Sequence, residues 1–279
     1  MCRWIAYRGD TIALEHYVTA PAHSLVQQSI RALESTASTN GDGFGLGWYG
    51  TGVGPAVYRS VAPAWGDPNL RELAGHVESP LFMAHVRAAI GSPVQETNCH
   101  PFRRENWLFV HNGFVADFPV LRRQLMLAID PELFAEVHGS TDTEVVFHLA
   151  LTFGLTDDPI GALEVTVGLI EETARGHGIE GAVQASFGVS DGTSLWAARY
   201  STDGHARSLF ASAEAESVRR LHPDNPRFKR LTPDDRLIVS EPFSDLPGVW
   251  QEIPEATAVT VRRGGVFEER PFRPSRVAV

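Results

Sequence analysis

Hydrophobic and polar positions along this chain form short blocks that predict strands near the N-terminus. Cys2 to Tyr7 is apolar enough for a first strand. After Ser24, apolar side chains recur at helical spacing, which predicts a helix over Ser24 to Leu33 with Ser24 as its N-cap. Leu81 to Val86 and Trp107 to Val110 predict buried strands, and each leads into a polar cluster. Strand ends of this kind are common places for chemistry.

The second half predicts two successive helices and then a β-rich region. Thr141 to Phe153 and Pro159 to Arg175 carry the helical patterns. The later strands are predicted over Val183 to Val189, Ser194 to Tyr200, Ser208 to Ser212, Arg236 to Val239 and Ala258 to Val261. This order is typical of an α+β layered fold rather than of alternating βαβ units. Because no Pro-, Gly- or Ser-rich linker divides the chain, we predict a single domain over residues 1–279.

Glycine alternates with bulky residues between Gly43 and Tyr49, which predicts a strand with one bare face. Phe44, Leu46 and Trp48 form the opposite, bulky face. Glycine within a strand marks the close approach of another backbone or a ligand. The pattern therefore predicts that another part of the chain, or a bound molecule, lies against this strand.

Composition narrows the class of protein. Of 279 residues, 43% are hydrophobic and 21% charged, as expected for a globular protein with a sizeable core. The formal charge of −10 argues against a nucleic-acid surface. No apolar run reaches the roughly 20 residues of a membrane span, and the N-terminus lacks a signal-peptide pattern. We therefore expect neither nucleic acid nor membrane as a partner, and two thiols, Cys2 and Cys99, in a reducing cytoplasm.

Cys2 is the most reactive candidate. Removal of Met1 would leave a thiol and a free α-amine on one residue. The reference pKa values of these groups, about 8.5 and about 7.7–8.0, are close enough for proton exchange near neutral pH. One residue can then be nucleophile and base together. Taken alone, however, the position of Cys2 is also that of any residue after a start codon.

Five short segments concentrate polar side chains. They are Asn40-Gly41-Asp42-Gly43-Phe44-Gly45, His85-Val86-Arg87, Asn98-Cys99-His100-Pro101-Phe102, His111-Asn112-Gly113 and Ser140-Thr141-Asp142-Thr143-Glu144. The first is, by itself, typical of a glycine-rich turn, and it lacks the Lys-Ser/Thr of a phosphate-binding loop. Arg87 is either a surface ion-pair partner or, at the end of an apolar strand, a fixed guanidinium that captures a carboxylate.

Two further clusters also allow two interpretations each. His111-Asn112-Gly113 is, by itself, typical of an Asn-Gly turn between strands. Alternatively, the Asn112 amide and the next backbone N–H form an oxyanion hole. In Ser140 to Glu144, Ser140 or Thr141 caps a helix and Glu144 completes a capping box. The functional alternative is that Asp142 binds a substrate ammonium group.

A metal centre is the weaker interpretation of the histidines. His85, Cys99, His100 and His111 contain ligand-type side chains, but their spacing matches no standard zinc signature. Histidines that follow buried strands are commonly hydrogen-bonded structural residues. We therefore predict neither a metal nor a cofactor.

Taken in order, these motifs resemble the class II glutamine amidotransferases of the N-terminal nucleophile hydrolase superfamily. The resemblance is closest to the compact, stand-alone branch that starts Met-Cys-Arg, which is related to the ergothioneine-pathway γ-glutamyl amidase. The residues that carry it are Cys2, Asn40-Gly41-Asp42-Gly43, His85-Val86-Arg87, Asn98-Cys99-His100-Pro101, His111-Asn112-Gly113 and Asp142-Thr143-Glu144, with Ser240-Glu241-Pro242 and Trp250 to Pro254 further on. Each motif is weak, but the ordered set is specific and covers nearly the whole chain.

The resemblance implies a four-layer αββα sandwich and an amidohydrolase mechanism. Cys2 would attack the side-chain amide of glutamine and form a γ-glutamyl thioester, with its own α-amine as base. Asn112 and Gly113 would hold the oxyanion. Arg87 would pair with the substrate α-carboxylate, and Asp142 with its α-ammonium.

The same resemblance places His85 and His111 among the substrate-binding residues. It implies that glutamate and ammonia are released, the ammonia for a separate synthase because the predicted domain leaves no sequence for one. A γ-glutamyl-linked metabolite as substrate, a non-catalytic glutamine-binding module and a metal-dependent hydrolase are the alternatives. Two departures from the pattern are Arg3 and the run Ala88-Ala89-Ile90, where many relatives have a threonine.

Overall fold

The computed structural model describes residues 2–32, 39–89 and 91–275. The described residues contain thirteen strands: β1 Arg3–Ala13, β2 Phe44–Trp48, β3 Ala56–Ser60, β4 Glu78–Val86, β5 Phe102–Arg104, β6 Trp107–Val115, β7 Val183–Ser190, β8 Leu195–Ser201, β9 Phe210–Ser212, β10 Arg236–Val239, β11 Trp250–Glu252, β12 Thr257–Val261 and β13 Phe267–Pro271. The α-helices of the same residues are α1 Glu15–Val18, α2 Leu25–Ile30, α3 Pro68–His76, α4 Phe118–Leu127, α5 Pro131–Phe134, α6 Asp142–Thr152, α7 Pro159–Gly176 and α8 Ala215–Leu221. None of these helices is long and apolar enough to cross a membrane.

The strands form two antiparallel sheets. The first has the spatial order β11-β9-β10-β1-β4-β2-β3, and the second has the order β13-β12-β8-β7-β6-β5. In the first sheet β1 lies between β4 and β10, and in the second β6 lies between β5 and β7. The N-terminal strand is therefore an interior strand of its sheet.

Side chains alternate between two environments along β1, as the pleat of a strand requires. Trp4 and Ala6 face the second sheet, where they join a buried cluster with Leu108 and Val110 of β6. The indole N–H of Trp4 donates to Ser186 Oγ of β7 at 3.1 Å. This contact ties the start of β1 to the middle of the other sheet.

The outer faces of both sheets are covered by helices. Ile5 and Tyr7 of β1 pack in a second cluster together with residues of α1, α2 and α3. On the other side, a third cluster joins the second sheet to α4, α5, α6 and α7. The layers therefore follow the order helix, sheet, sheet, helix, which confirms the predicted α+β, four-layer αββα sandwich.

The predicted elements differ from the observed ones chiefly at their ends. β1 continues to Ala13, six residues beyond the predicted end. Ser24 caps α2 by accepting from the Gln27 N–H, but α2 ends at Ile30, and Leu33 lies outside the described residues. The two long helices were predicted to within about one residue at each end.

The interpretation of His111-Asn112-Gly113 as a turn is wrong. All three residues lie within β6, which pairs with β7 in unbroken register from Leu108 to Val115. Since side chains alternate along a strand, Asn112 follows Leu108 and Val110 on the face toward the first sheet. The polar cluster is thus part of the sheet and not a connection leaving it.

Candidate active site

A cavity of about 130 Å³ lies where the start of β1, the end of β4, β6 and the beginning of α6 meet. Its lining combines residues from all the predicted motifs except the first: Cys2, Arg87, Ala88, Ser92, His100, His111, Asn112, Gly113, Phe114, Thr141, Asp142, Thr143 and Arg207. Six of the seven predicted site residues are brought together here. The seventh, His85, does not line the cavity.

Cys2 immediately precedes β1 and is half-buried. Its Sγ lies 3.6 Å from the carbonyl oxygen of Ala88. Burial raises the pKa of the thiol, and the opposing effects of the Ala88 contact and the nearby Arg87 cation do not reverse that shift. The group is therefore held as a thiol, so that any nucleophilic role requires a base beside it.

Arg87 follows β4 as a buried cation. Its backbone N–H donates to the Gly43 carbonyl at 2.8 Å, which fixes the residue against the glycine-rich segment. Its guanidinium donates to Ser92 Oγ at 2.7 Å and to the Pro93 carbonyl at 3.1 Å. No carboxylate among the described residues lies within ion-pair distance of Arg87, so a bound anion would supply its missing counter-charge.

Asp142 opens α6 and supplies the negative charge. Its Oδ2 accepts from the Val115 N–H at 2.8 Å, and its Oδ1 accepts from the Thr143 N–H at 2.7 Å. The backbone N–H groups at a helix N-terminus form a favourable position for a negatively charged side chain. These bonds fix the carboxylate in the cavity wall and leave lone pairs for a ligand.

The predicted helix cap at this point is half correct. Thr141 caps α6 by accepting from the Glu144 N–H at 3.3 Å. A capping box would bring the Glu144 carboxylate back to the Thr141 N–H. Instead it accepts from the His138 and Gly139 N–H groups at 2.9 and 2.6 Å, so it orders the loop before the helix.

Asn98 links the loops that carry the two charges. Its Nδ2 donates to the Pro93 carbonyl at 3.0 Å and to Ser140 Oγ at 3.1 Å. Its Oδ1 accepts from the Ser140 N–H at 2.9 Å. Since Pro93 holds Arg87 and Ser140 precedes Asp142, this buried amide sets the separation of the cation and the carboxylate.

The glycine-rich segment lets the cavity wall pack closely. A Cβ on Gly45 would stand 2.1 Å from the His100 carbonyl oxygen, so this strand has room for no side chain there. The backbone approach predicted from the alternating glycines is therefore confirmed. It brings His100 into the lining of the cavity.

β6 places Asn112 and Gly113 next to each other in the cavity wall. The Asn112 residue is buried, and its side-chain amide has no hydrogen-bond partner among the described residues. At Gly113 a Cβ would stand 1.8 Å from the Gln184 carbonyl oxygen of β7, so only glycine fits. A side-chain amide without a partner, next to a glycine backbone, is suited to bind a ligand oxygen.

The histidines of the motifs are buried and neutral. His111 Nδ1 lies 2.9 Å from Thr143 Oγ1, and burial lowers the pKa of this imidazole against the opposing effect of Asp142. Burial also lowers the pKa of His100 well below its usual value. Within the described residues no group of three or more His, Cys, Asp or Glu side chains is arranged to hold a metal ion.

The expectation that His85 contacts substrate is not supported by its position. The residue is fully buried in β4, and its ring centroid lies 4.1 Å from that of His100, which itself reaches the cavity. Burial lowers the pKa of His85 to about 3. His85 therefore lies behind the cavity wall, where it supports His100.

Burial of these imidazoles predicts a loss of stability in acid. The unfolded chain takes up a proton on His85 below about pH 6.5, whereas the folded chain does so only near pH 3, so stability falls as the pH drops through this interval. For His85 the expected change in the free energy of unfolding is up to about 1.4 kcal/mol per pH unit. Urea unfolding at a series of pH values measures it.

The matched variants for this measurement are His85→Phe, which removes the titration at an interior position, and His205→Gln on the surface. His85→Phe should flatten the decline between pH 6.5 and 4, and His205→Gln should leave the decline as it is. Equal slopes in the wild type and His85→Phe would contradict the prediction.

The sequence motifs did not reveal the contacts of two arginines, Arg3 and Arg207. Arg3 is buried, and its Nη1 donates to the Cys2 carbonyl at 2.9 Å while its Nε donates to Glu241 Oε2 at 3.0 Å. Ser240 accepts from the Trp4 N–H at 3.1 Å. The Ser-Glu-Pro motif near residue 240 therefore holds the start of β1 in place, and Arg3 is the connection.

Arg207 lines the cavity from the segment between β8 and β9. Polar surface residues in such segments are common, so the sequence gives no signal that distinguishes Arg207.

Cys99 was considered as one of four possible metal ligands, but it is a buried thiol outside the cavity, 3.5 Å from the Ser60 carbonyl. Ala88, in the run where many relatives have a threonine, lines the cavity, whereas Ile90 lies outside the described residues.

The fold is a two-sheet sandwich, and one cavity is lined by the Cys2 thiol, the Arg87 guanidinium and the Asp142 carboxylate. Comparison with known proteins gives the family. The model of the class-II glutamine amidotransferases matches residues 16–271. The chain belongs to this family, as the sequence motifs predicted.

Three relatives illustrate the range of the family. The chain is 32% identical to the probable glutamine amidotransferase DUG3 of Saccharomyces cerevisiae, over 94% of this chain and 82% of that protein. It is 29% identical to the gamma-glutamyl-hercynylcysteine sulfoxide hydrolase of Mycolicibacterium smegmatis, over 94% of this chain and 96% of that one. A solved structure of a glutamine aminotransferase class-II domain protein from Silicibacter pomeroyi matches with a TM-score of 0.75 and 35% identity, covering 98% and 99% of the two chains.

Proposed function

We propose that this protein hydrolyses the γ-amide bond of a γ-glutamyl group, with Cys2 as the nucleophile and L-glutamine as the simplest substrate. The observation that carries the proposal is the cavity itself. Around one space lie a thiol, a fixed carboxylate, a guanidinium with no carboxylate partner among the described residues, and an amide with no hydrogen-bond partner among them. A glutamyl head is a zwitterion with a neutral amide, and it requires one group of each kind.

Recognition of the head uses the two opposite charges. Arg87 binds the substrate α-carboxylate, because a guanidinium already held by Ser92 and Pro93 loses little entropy on binding. Asp142 accepts from the α-ammonium group. With both ends of the zwitterion held, the side-chain carbonyl carbon is directed to Cys2 Sγ.

The chemistry begins once removal of Met1 exposes the α-amine of Cys2. This amine takes the thiol proton, and Sγ forms a bond to the γ-carbonyl carbon while the carbonyl π pair moves to oxygen. The Asn112 side-chain amide and the Gly113 N–H donate to that oxyanion. Collapse breaks the carbon–nitrogen bond, the α-amine returns the proton to the leaving nitrogen, and water then cleaves the thioester to release glutamate.

The names of two relatives each support hydrolysis of an amide. The yeast protein is named a glutamine amidotransferase and the mycobacterial protein a hydrolase of a γ-glutamyl compound. Both names involve the same γ-glutamyl head. Transfer of the released ammonia to a separate synthase stays a prediction.

The direct test is an assay of glutamate and ammonia released from L-glutamine by the methionine-processed protein. Stoichiometric release supports the proposal. Protein that binds glutamine without releasing either product would be a binding module instead. Activity that is lost on titration with a chelator would indicate a metal-dependent hydrolase.

Neutralising either charged residue should raise KM for glutamine. For Arg87→Gln and Asp142→Asn we expect increases of about 10- to 100-fold, since each variant removes a charge-assisted hydrogen bond to the substrate. Initial-rate kinetics over a wide glutamine range measures the effect. Arg71→Gln, an exposed position on α3, is the control, and unchanged KM values in the two site variants would contradict the assignment.

A further inference from the structure

A second cavity, of about 260 Å³, lies away from the candidate active site. Three charged residues line it: Arg8 of β1, Asp234 just before β10 and Arg263 between β12 and β13. Arg8 is paired with Leu81 in the first half of β4, whereas the candidate active site lies at the end of β4. The two cavities share no lining residue. The proposed amide hydrolysis therefore makes no use of the charges in this second cavity.

Arg8 is a buried cation with unused N–H groups. Only 6% of the residue is exposed. Its Nε donates to the Thr193 carbonyl, in the turn between β7 and β8, at 3.0 Å. Nη1 is buried without a hydrogen-bond partner among the described residues, and Nη2 has none among them either. Because a buried donor without an acceptor is destabilising, a bound acceptor would be favoured at this guanidinium.

The backbone next to Arg8 is held in an irregular conformation. The register of β1 against β4 shifts between Arg8 and Ile12, as it does at a β-bulge. Bulges redirect side chains and are common beside functional sites. Within this segment a Cβ on Gly9 would stand 2.1 Å from Asp235 Oδ1, and that oxygen accepts from the Asp10 N–H at 3.2 Å. Arg8 is thus presented from a fixed position.

Asp234 and Arg263 complete the set of charges around this space. Neither side chain forms a hydrogen bond or an ion pair with a described residue. Burial lowers the pKa of Arg8, the Asp234 carboxylate raises it and the Arg263 guanidinium lowers it, so the three charges are close enough to interact. A Cβ on Gly265 would stand 1.9 Å from the Pro233 carbonyl oxygen, which shows that the two loops touch. Two guanidinium groups and one carboxylate therefore surround the cavity without pairing.

We propose that this cavity binds a phosphate group that keeps one proton, either as inorganic phosphate or as a phosphomonoester. The charged phosphate oxygens accept from Arg8 and Arg263, and the remaining P–O–H donates to the Asp234 carboxylate. Sulfate has the same shape but carries no proton in neutral or weakly acidic solution, so it would place lone pairs against Asp234. This binding is independent of the proposed function.

Calorimetric titration with inorganic phosphate and with sulfate, at constant ionic strength, tests the proposal. The measurement is made near pH 6, where a phosphate group with a second pKa of about 6 still carries a proton. We expect one phosphate per chain, bound about 10- to 100-fold more tightly than sulfate, as one charge-assisted hydrogen bond provides. Titration with sn-glycerol 3-phosphate distinguishes the two sources: tighter binding than inorganic phosphate assigns a phosphomonoester, and weaker binding assigns free phosphate.

The variants assign the binding to particular residues. Arg8→Gln should abolish phosphate binding, and the exposed Arg263→Gln, which keeps the test valid if loss of Arg8 impairs folding, should weaken it by about 10-fold or more. Asp234→Asn should bring the ratio of the two affinities to about 1, because an amide donates as well as accepts.

Arg87→Gln is the matched control, since its guanidinium lies in the other cavity, and it should bind phosphate like the wild type. Loss of binding in Arg87→Gln would place the anion in the candidate active site and overturn the proposal. Equal affinity of the wild type for phosphate and sulfate, unchanged binding in Arg263→Gln, or no saturable binding of either phosphate compound would also overturn it.

Discussion

Replacement of Cys2 by alanine is expected to reduce glutamine hydrolysis by at least about 10⁴-fold, as removal of the nucleophile does in other covalent hydrolases. Cys2 is the nucleophile candidate that lines the cavity, and Arg87 and Asp142, the proposed substrate-binding residues, line the same cavity. Without sulfur no thioester forms, and the oxyanion donors have no tetrahedral intermediate to stabilise.

A glutamine-mimicking electrophile, 6-diazo-5-oxo-L-norleucine, gives the matching structural readout. Intact mass should show one adduct per wild-type chain, mapped to Cys2, and none in Cys2→Ala. Cys99→Ala is the control, because this thiol is buried away from the cavity, and it should be labelled like the wild type. An adduct on Cys99, or hydrolysis that survives in Cys2→Ala, would refute the role given to Cys2.

Truncation of Asn112 should lower kcat by about 10²- to 10³-fold, equivalent to about 2.7–4 kcal/mol of transition-state stabilisation. The Asn112 amide has no partner among the described residues and is thus free to donate to the developing oxyanion. Because that interaction forms in the transition state and not with the bound amide, kcat and kcat/KM should fall together.

Steady-state kinetics of Asn112→Ala tests this directly. Asn69→Ala, an exposed amide on α3, is the matched control and should behave as wild type. A rise in KM with kcat preserved would assign Asn112 to binding of the ground state instead. Circular dichroism of both variants checks that the sheet around β6 is intact.

The fold class could be predicted from the sequence because hydrophobic residues repeat with different periods in the strands and in the helices. The order of strands and two successive helices predicted an α+β layered fold, and the resemblance to the family implied the four-layer sandwich. The helices α6 and α7 were predicted nearly to the residue. The Asn-Gly pair was misread as a turn when considered alone. Its backbone is extended because β7 pairs with it on one side, and this partner is some 70 residues away in the chain.

Only the site residues that belong to a recognisable motif could be predicted from the sequence. Arg87, Asp142 and Asn112 each sit in a short recognisable cluster, and the structure brings them to one cavity. Arg3 acts through Glu241, which lies 238 residues further along the chain, and no local pattern encodes that contact. His85 shares a motif with Arg87 but does not line the cavity. Residues two apart lie on the same face only while both belong to one strand, and β4 ends at Val86, between His85 and Arg87.

The start of β1 is anchored by residues near position 240, which emerge from the ribosome long after Cys2 itself. Until β10 pairs with β1 and Glu241 reaches Arg3, a nascent chain has neither the second strand neighbour of β1 nor the buried ion pair beside Cys2. The candidate site is therefore completed late in synthesis. A truncated translation product that stops before residue 236 would carry every proposed catalytic side chain and still lack the contacts that position the sulfur of Cys2.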